Sequence, residues 1–298
     1  MPQDKRLPKG DRFFKSGDYR MSLNITLSLR LICFLNHDGL SVFILRPCVN
    51  RLTHQYYLND MSKKTLDRIL QSQGFGTRKW CAELILEGNI TVNDVVVTDN
   101  NLAFETAGLR FTLFGEEWIY REHVYIALNK PVNYECSRKP SHHPGVLSLL
   151  PEPFMLRDVQ PVGRLDHDTT GLLLMSDNGA FIHAQSSPKR HLPKIYVATT
   201  HDPISPQLVN KLLSGVKLHD EPTPLAAITC RKIDTHQLEI VLAQGKYHQV
   251  KRMLVAAGNH CTALRRTQIG ELKLDALGLR AGKWCYLNEL HLKLLHPN

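Results

Sequence analysis

The chain lacks paired cysteines. Cys33, Cys48, Cys81, Cys136, Cys230, Cys261 and Cys285 are odd in number, scattered, and nowhere spaced as CxxC. This argues against a disulfide framework or a zinc site and for reduced, structural thiols in a cytoplasmic protein. Histidine is abundant, at 15 residues, but only His142-His143 are close neighbours, in a proline-flanked loop, so no metal is expected. Glycine-rich phosphate loops are missing as well. Neither GxGxxG nor Gly-Lys-Ser/Thr occurs, which leaves a nucleotide cofactor no visible seat. There is no long apolar run either. Ser22–Leu35 is aliphatic but broken by Asn24, Thr26, Ser28 and Arg30, short of the ~20 apolar residues of a membrane span and without a clear leader cleavage site.

What is present is enough for a large core. The 298 residues are 43% apolar and 22% charged, which fits two domains. Lys plus Arg number 37 against 28 Asp plus Glu, a net charge of +9 spread along the chain. A polyanionic partner is implied, nucleic acid first and an anionic membrane second.

Three segments differ in texture. Residues 1–60 are polar and turn-rich before the broken aliphatic stretch, and read as a poorly ordered extension or a start site placed too early, with Met61 opening the functional protein. Residues 62–120 follow as a helical hairpin with strands. Leu66, Ile69 and Leu70 form one apolar stripe, Gly74-Phe75-Gly76 breaks the helix, and Thr77 is the N-cap of a second helix with Cys81, Leu84 and Ile85 on its apolar side. Gly88 stops that helix, and Ile90-Thr91-Val92 and Val95-Val96-Val97 flank Asn93-Asp94 as a hairpin. Lys63, Lys64, Arg68, Arg78 and Lys79 lie off the stripes at the helix starts. There, basic side chains and helix N-termini suit phosphate contacts, although a solvated basic face would look the same.

Leu66-Asp67-Arg68 through Val92-Asn93 resembles the alpha-L RNA-binding domain of a small-subunit ribosomal protein and of tyrosyl-tRNA synthetase. The spacing of Arg78, Ala82, Ile85, Gly88, Ile90 and Val92-Asn93 is intact, while Asp94 stands where that family has Gly and predicts a looser hairpin.

Glu116–His123 reads as a polar connector, and residues 123–298 as one α+β domain. Val124–Leu128, Lys194–Thr199, Gln237–Leu242 and Ala263–Ile269 are strand candidates, and Ser205–Leu213 and Tyr247–Ala257 read as helices. Strands and helices do not alternate evenly, so a mixed, largely antiparallel sheet with flanking helices is expected over a doubly wound parallel one.

Within this domain Gly163-Arg164-Leu165-Asp166-His167-Asp168-Thr169-Thr170-Gly171 precedes the apolar run Leu172–Met175, read as a short buried strand ended by the turn Ser176-Asp177-Asn178-Gly179. Two glycines permit unusual backbone angles, and Asp and Thr between them hydrogen-bond local amides. Asp166 is thereby held in a rigid loop feeding a core strand. A well-capped turn is the plain alternative.

Gly163–Leu174 resembles the Gly-Arg-Leu-Asp-x-Asp-Thr-Thr-Gly-Leu motif of the pseudouridine synthases, in the small-subunit rRNA branch. Lys194-Ile195-Tyr196 is similar to that family's Lys-x-Tyr motif, and Gly245–Met253 to its third, where a basic residue follows His-Gln-x. Asn129-Lys130-Pro131 adds a fourth match, with Asn133 in a usual Gly position. The resemblance implies an rRNA enzyme needing no cofactor: Asp166 as catalytic carboxylate, Lys251 paired with it, and Tyr196 stacked on the uracil with its hydroxyl near the proton to be removed. An opposite charge within ~4–6 Å favours an ionised carboxylate. It also implies RNA contacts for Arg164, Lys246, His248, Gln249 and Arg252, with Asp168 holding the loop.

The expected substrate is 16S rRNA in a small-subunit assembly intermediate, the target uridine being extruded at a cost of a few kcal/mol, by a monomer with no membrane partner. A 23S rRNA enzyme, a catalytically silent ribosome-assembly protein and a membrane-associated basic protein relying on Ser22–Leu35 remain alternatives.

Overall fold

Residues 63–187 and 191–296 are described by the computed structural model; the extension expected at residues 1–60, Ser22–Leu35 included, lies outside them. Strand β1 (Lys63–Thr65) leads into α1 (Leu66–Ser72), whose Leu66, Ile69 and Leu70 recur at helical spacing and are fully buried. Thr77 caps α2 (Arg78–Leu86), its hydroxyl accepting the Trp80 N–H at 3.3 Å. β2 (Ile90–Val92) and β3 (Val95–Val96) pair through Asn93 and Asp94, at φ 50° and 64°. Two consecutive left-handed residues are what a type I′ turn requires, and Asp tolerates that region better than most side chains. The two-residue turn therefore closes without the glycine.

β4 (Ala103–Glu105) returns to pair with β1, while β5 (Arg110–Leu113) and β6 (Glu116–Ile119) complete a second sheet in the order β3-β2-β5-β6. Glu116–Ile119 is thus a strand and not the polar connector its composition suggested. It lies at a sheet edge with Glu116, Glu117 and Ile119 exposed, so no apolar alternation marks it. Helices α1 and α2 and this sheet share a hydrophobic core running from Leu66 to Tyr120.

The larger sheet begins with β7 (Tyr125–Lys130). After α3 (Pro153–Leu156) come β8 (Gln160–Val162), β9 (Thr169–Ser176), α4 (Gly179–Ser186), β10 (Lys194–Thr200) and α5 (Pro206–Ser214). Then follow β11 (Thr229–Lys232), β12 (Gln237–Leu242), α6 (Gln249–Ala257), β13 (Cys261–Ile269), β14 (Leu272–Lys273), β15 (Trp284–Tyr286) and α7 (Glu289–Lys293). The strand path is β11-β12-β10-β13-β9-β7-β15, with β14 on β13 and β8 on β9. Within it β13 and β9 run parallel and the other pairs antiparallel. The result is the mixed, largely antiparallel α+β sheet expected.

Successive side chains of a strand point to opposite faces, and β9 uses both. Leu173 and Met175 join the core on one side, Leu172 and Leu174 the core on the other. A strand buried on two faces reads as a continuous apolar run, which is why Leu172–Met175 stands out in the sequence. The Ser176–Gly179 stretch does more than turn: Asn178 is the N-cap of α4, its side chain accepting the Phe181 N–H at 3.0 Å.

Arg157 ties the two sheets' regions together. Its guanidinium donates to Gln73 Oε1 (2.8 Å), to the Arg121 carbonyl (2.9 Å) and to Asp177 Oδ2 (2.6 Å). At this seam Gly74, at φ +88°, lies so close to α3 that a Cβ would meet the Pro153 carbonyl oxygen at 2.0 Å.

Gly171 serves the same purpose between strands. At φ +103° it faces Arg266 across the parallel β9–β13 pair, where a Cβ would come within 2.2 Å of the Arg266 carbonyl oxygen. Backbone cannot swing aside as a side chain can. Gly171→Ala is expected to destabilise the fold by more than about 3 kcal/mol, combining a strained φ with overpacking. A urea midpoint unchanged from wild type would contradict this.

Candidate active site

Asp166 sits in the loop Gly163–Asp168 that feeds β9, and this loop is held from beneath. Lys130, at the end of β7, is fully buried. Its ammonium donates to the carbonyls of Pro131 (3.0 Å), His167 (3.1 Å) and Thr169 (2.9 Å). An ammonium has three protons, and all three are used. Burial pushes the Lys130 pKa down. Asn133, at φ 63°, takes the left-handed backbone that favours glycine and donates its N–H to the His167 carbonyl at 2.7 Å. Thr169 N–H closes the turn on the Asp166 carbonyl at 3.1 Å, and Leu165 N–H rests on Cys136 Sγ at 3.4 Å.

The second element is the start of α6. His248, its N-cap, adopts φ 47°, an uncommon conformation for a residue with a side chain. His248 and Lys251 lie three residues apart, on one face of the first turn. Both reach the same carboxylate. His248 Nε2 lies 3.1 Å from Asp166 Oδ1, and Lys251 Nζ 2.9 Å from Asp166 Oδ2. Lys251 also bonds Asp168 Oδ1 at 2.6 Å. Burial opposes the Lys251 charge, but its hydrogen bonds to Asp168 and Asp166 prevail and raise its pKa. For Asp168, burial likewise opposes ionisation and the Lys251 contact outweighs it, holding the pKa below the usual carboxylate value.

The third element is the β10–β13 pair. Tyr196 and Arg266 are direct cross-strand partners and so share a face. Both are buried, and Arg266 Nε donates to the Leu172 carbonyl at 2.7 Å. Asp166, Tyr196, His248, Lys194, Arg266 and Gln185 line one cavity of about 220 Å³. That is below the ~300–1,000 Å³ of sites for drug-sized ligands, on the scale of a single base with its sugar. Asp166 stands at its lining with about a quarter of its side chain exposed.

Residues 124–256 match the family model described as RNA pseudouridylate synthase. Ribosomal small subunit pseudouridine synthase A of Escherichia coli K12 is 35% identical, over 75% of this chain and 96% of its own length. The chain belongs to the RNA pseudouridylate synthase family. A protein of Bacillus subtilis strain 168 named as an uncharacterized RNA pseudouridine synthase is 31% identical over 78% of this chain and 98% of its own. A crystal structure titled as a pseudouridylate synthase superposes with a TM-score of 0.55 at 29% identity, over 78% of this chain and 99% of that one.

In the synthase Asp166 and Tyr196, from two separate motifs, line one cavity, and Lys251, from a third, bonds the Asp166 carboxylate. His248, expected among the RNA contacts, faces Asp166. Gln249 is buried, accepting the Lys246 N–H at 3.0 Å, and so organises the start of α6. Several expected RNA cations hold carboxylates of the chain: Lys246 bonds Glu221, Arg252 pairs with Asp220 at 3.2 Å, Arg78 with Asp67, and Lys64 with Glu122 at 3.1 Å. Lys79 stands 4.0 Å from Glu83. Lys63, Arg68 and Arg164 are exposed, and Arg164 lies at the cavity. Composition gave no hint of Arg266, Gln185 or Tyr247. Tyr247, 71% exposed, stacks on the His248 ring at 3.8 Å between centroids.

Proposed function

We propose that this synthase converts one uridine of 16S rRNA to pseudouridine in the cytoplasm, using Asp166 as nucleophile on an extruded nucleotide and no cofactor. The observation that carries the reading is the Asp166 carboxylate fixed between His248 and Lys251 beside a cavity of about 220 Å³. The reaction is an isomerisation. The C1′–N1 bond breaks with its electron pair on the ring, the ring turns, C5 bonds to C1′, and the C5 proton is lost while N1 gains one. Nothing is oxidised, so one oriented carboxylate and one proton acceptor suffice. Tyr196 supplies the aromatic wall and a hydroxyl near the proton to be moved. Lys251 orients Asp166, and Asp168 anchors Lys251.

The substrate assignment rests on the relatives named for the small ribosomal subunit, one of which this chain matches over 96% of its length. Residues 62–120, with Lys63 and Arg68 exposed, are proposed as the RNA-grasping module, phosphate contacts offsetting the energy of extruding the base. Among the described residues no helix is long and apolar enough to cross a membrane.

The test is to incubate the protein with protein-depleted 30S particles and separately with 23S rRNA, mapping pseudouridine by carbodiimide modification and primer extension. One new site in 16S rRNA is expected. A site in 23S rRNA would overturn the substrate, and tight binding with no conversion would favour the silent assembly protein.

A further inference from the structure

Buried polar side-chain atoms are nearly always hydrogen-bonded. Among the described residues the exceptions are Thr169 Oγ1, both amide atoms of Gln185, and Arg266 Nη2. All three residues line the cavity that holds Asp166 and Tyr196. A buried polar group left unmatched is costly unless something meets it, and the gathering of these groups in one place points to a polar ligand. Arg266 is fixed there by its Nε bond to Leu172. Lys194, two residues before Tyr196 on β10 and so on the same face, lines the same wall. Burial, and then the Arg266 charge, push the Lys194 pKa down to about 8. Among the described residues neither cation pairs with a carboxylate, although Lys194 Nζ donates to the Leu192 carbonyl at 2.8 Å. Two cations crowded in a half-buried wall suit a ligand that carries or develops negative charge.

We propose that Gln185 and Arg266, with Lys194 behind them, form a receptor for the O2–N3–O4 edge of the target uracil and hold the ring while it is detached as an anion, a role resting on the pseudouridine-synthase reading above. The edge presents acceptor, donor, acceptor. The Gln185 carbonyl accepts N3–H, its amide nitrogen donates to one ring oxygen, and Arg266 Nη2 donates to the other. This arrangement has a consequence for the turn of the ring. Exchanging N1 for C5 at C1′ is a half-turn about the N3–C6 axis, which swaps O2 with O4 and leaves N3–H in place. A donor–acceptor–donor receptor therefore fits the ring equally before and after rotation. When the C1′–N1 bond breaks, the electron pair spreads onto O2 and O4, so the contacts strengthen in the step that needs them. Cytosine, with an amino group at one end of its edge, loses this symmetry.

The experiment measures single-turnover rates on one RNA carrying uridine, 2-thiouridine or 4-thiouridine at the target position, since sulfur accepts hydrogen bonds poorly. Wild-type protein, Gln185→Met and Arg266→Lys are compared. Wild type is expected to slow about ten-fold or more on each thio ring, as for loss of a bond to a charged donor. Gln185→Met is expected to slow on uridine through kcat with KM little changed, and in both variants the thio penalty shrinks. Comparison across variants cancels the altered acidity of the thio rings. Thio penalties undiminished in the variants, or Gln185→Met turning over at the wild-type rate, would overturn the receptor. Should Arg266→Lys fail to fold, Gln185→Met decides alone, its side chain replaced by one of similar shape at the end of α4. Failure of wild type to convert uridine itself would instead remove the underlying reading.

Discussion

Replacing Asp166 with Asn is expected to lower single-turnover pseudouridine formation by on the order of 10⁴-fold or more, the scale of losing an essential nucleophile. RNA affinity should change little. Asn keeps the shape and the carbonyl oxygen that faces His248 or Lys251, so the loop above Lys130 has no reason to move. What disappears is the negative charge that can attack carbon or draw a proton. Lys251 retains Asp168 at 2.6 Å, which keeps its ammonium from being stranded. Rate is read by primer extension and affinity by filter binding of the same RNA. A variant that still converts the target at a tenth of the wild-type rate would remove Asp166 from the chemistry.

The electrostatics of this cluster limit how its own pH dependence can look. Asp168 has a depressed folded pKa, so its contribution to stability is present above the unfolded value of about 3.9 and fades as pH falls through the folded one. Lys251 has a raised folded pKa, so its contribution is present below about 10.4 and fades as pH rises through the folded one. Between these limits the pair gives a flat profile. Lys194 acts oppositely. Its pKa of about 8 in the fold means that protonating it opposes folding, so stability rises with pH from about 8 to about 10.4.

How far the sequence foretells the site depends on whether a residue's role is local. Asp166 was legible because glycines, short polar residues and an apolar run all lie within a dozen positions. The two glycines nonetheless act differently. Gly163 takes φ +74° with open space beside it, while Gly171 is needed because β13 passes close by. That neighbour is about 95 residues distant in sequence, beyond any local pattern. For the same reason β9 begins at Thr169 and not at Leu172: Thr169 and Thr170 pair with Leu264 and Arg265. Charges were read correctly as charges, and Lys251 as the partner of Asp166, but the carboxylates that hold Lys246 and Arg252 were not. Lys246 finds Glu221 and Arg252 finds Asp220 across a loop whose fold no periodicity reveals. Gln185 and Arg266 gave no signal at all, because their significance lies in buried polar atoms left without a hydrogen-bond partner, a property of the folded chain alone.

Lys130 shows how much a single non-reacting side chain can decide. Lys130→Met keeps an unbranched apolar stem, one atom shorter, but removes all three donors. The carbonyls of Pro131 and Thr169 lose the ammonium, while His167 keeps the Asn133 N–H at 2.7 Å. Relief from burying a cation offsets part of this, leaving an expected net loss of about 2–4 kcal/mol in stability. The larger effect is on rate. His167 and Thr169 flank Asp166 by one and three positions, and a shift of about 1 Å in a reacting group costs on the order of 10²-fold. We expect kcat to fall by about that factor with KM little altered, since the RNA-facing surface is untouched. Thermal unfolding and single-turnover kinetics on the same preparation separate the two effects. Loss of stability with kcat intact would mean that the loop holds Asp166 without Lys130. Loss of kcat in protein still folded at the assay temperature would establish the buried ammonium as the group that aims Asp166.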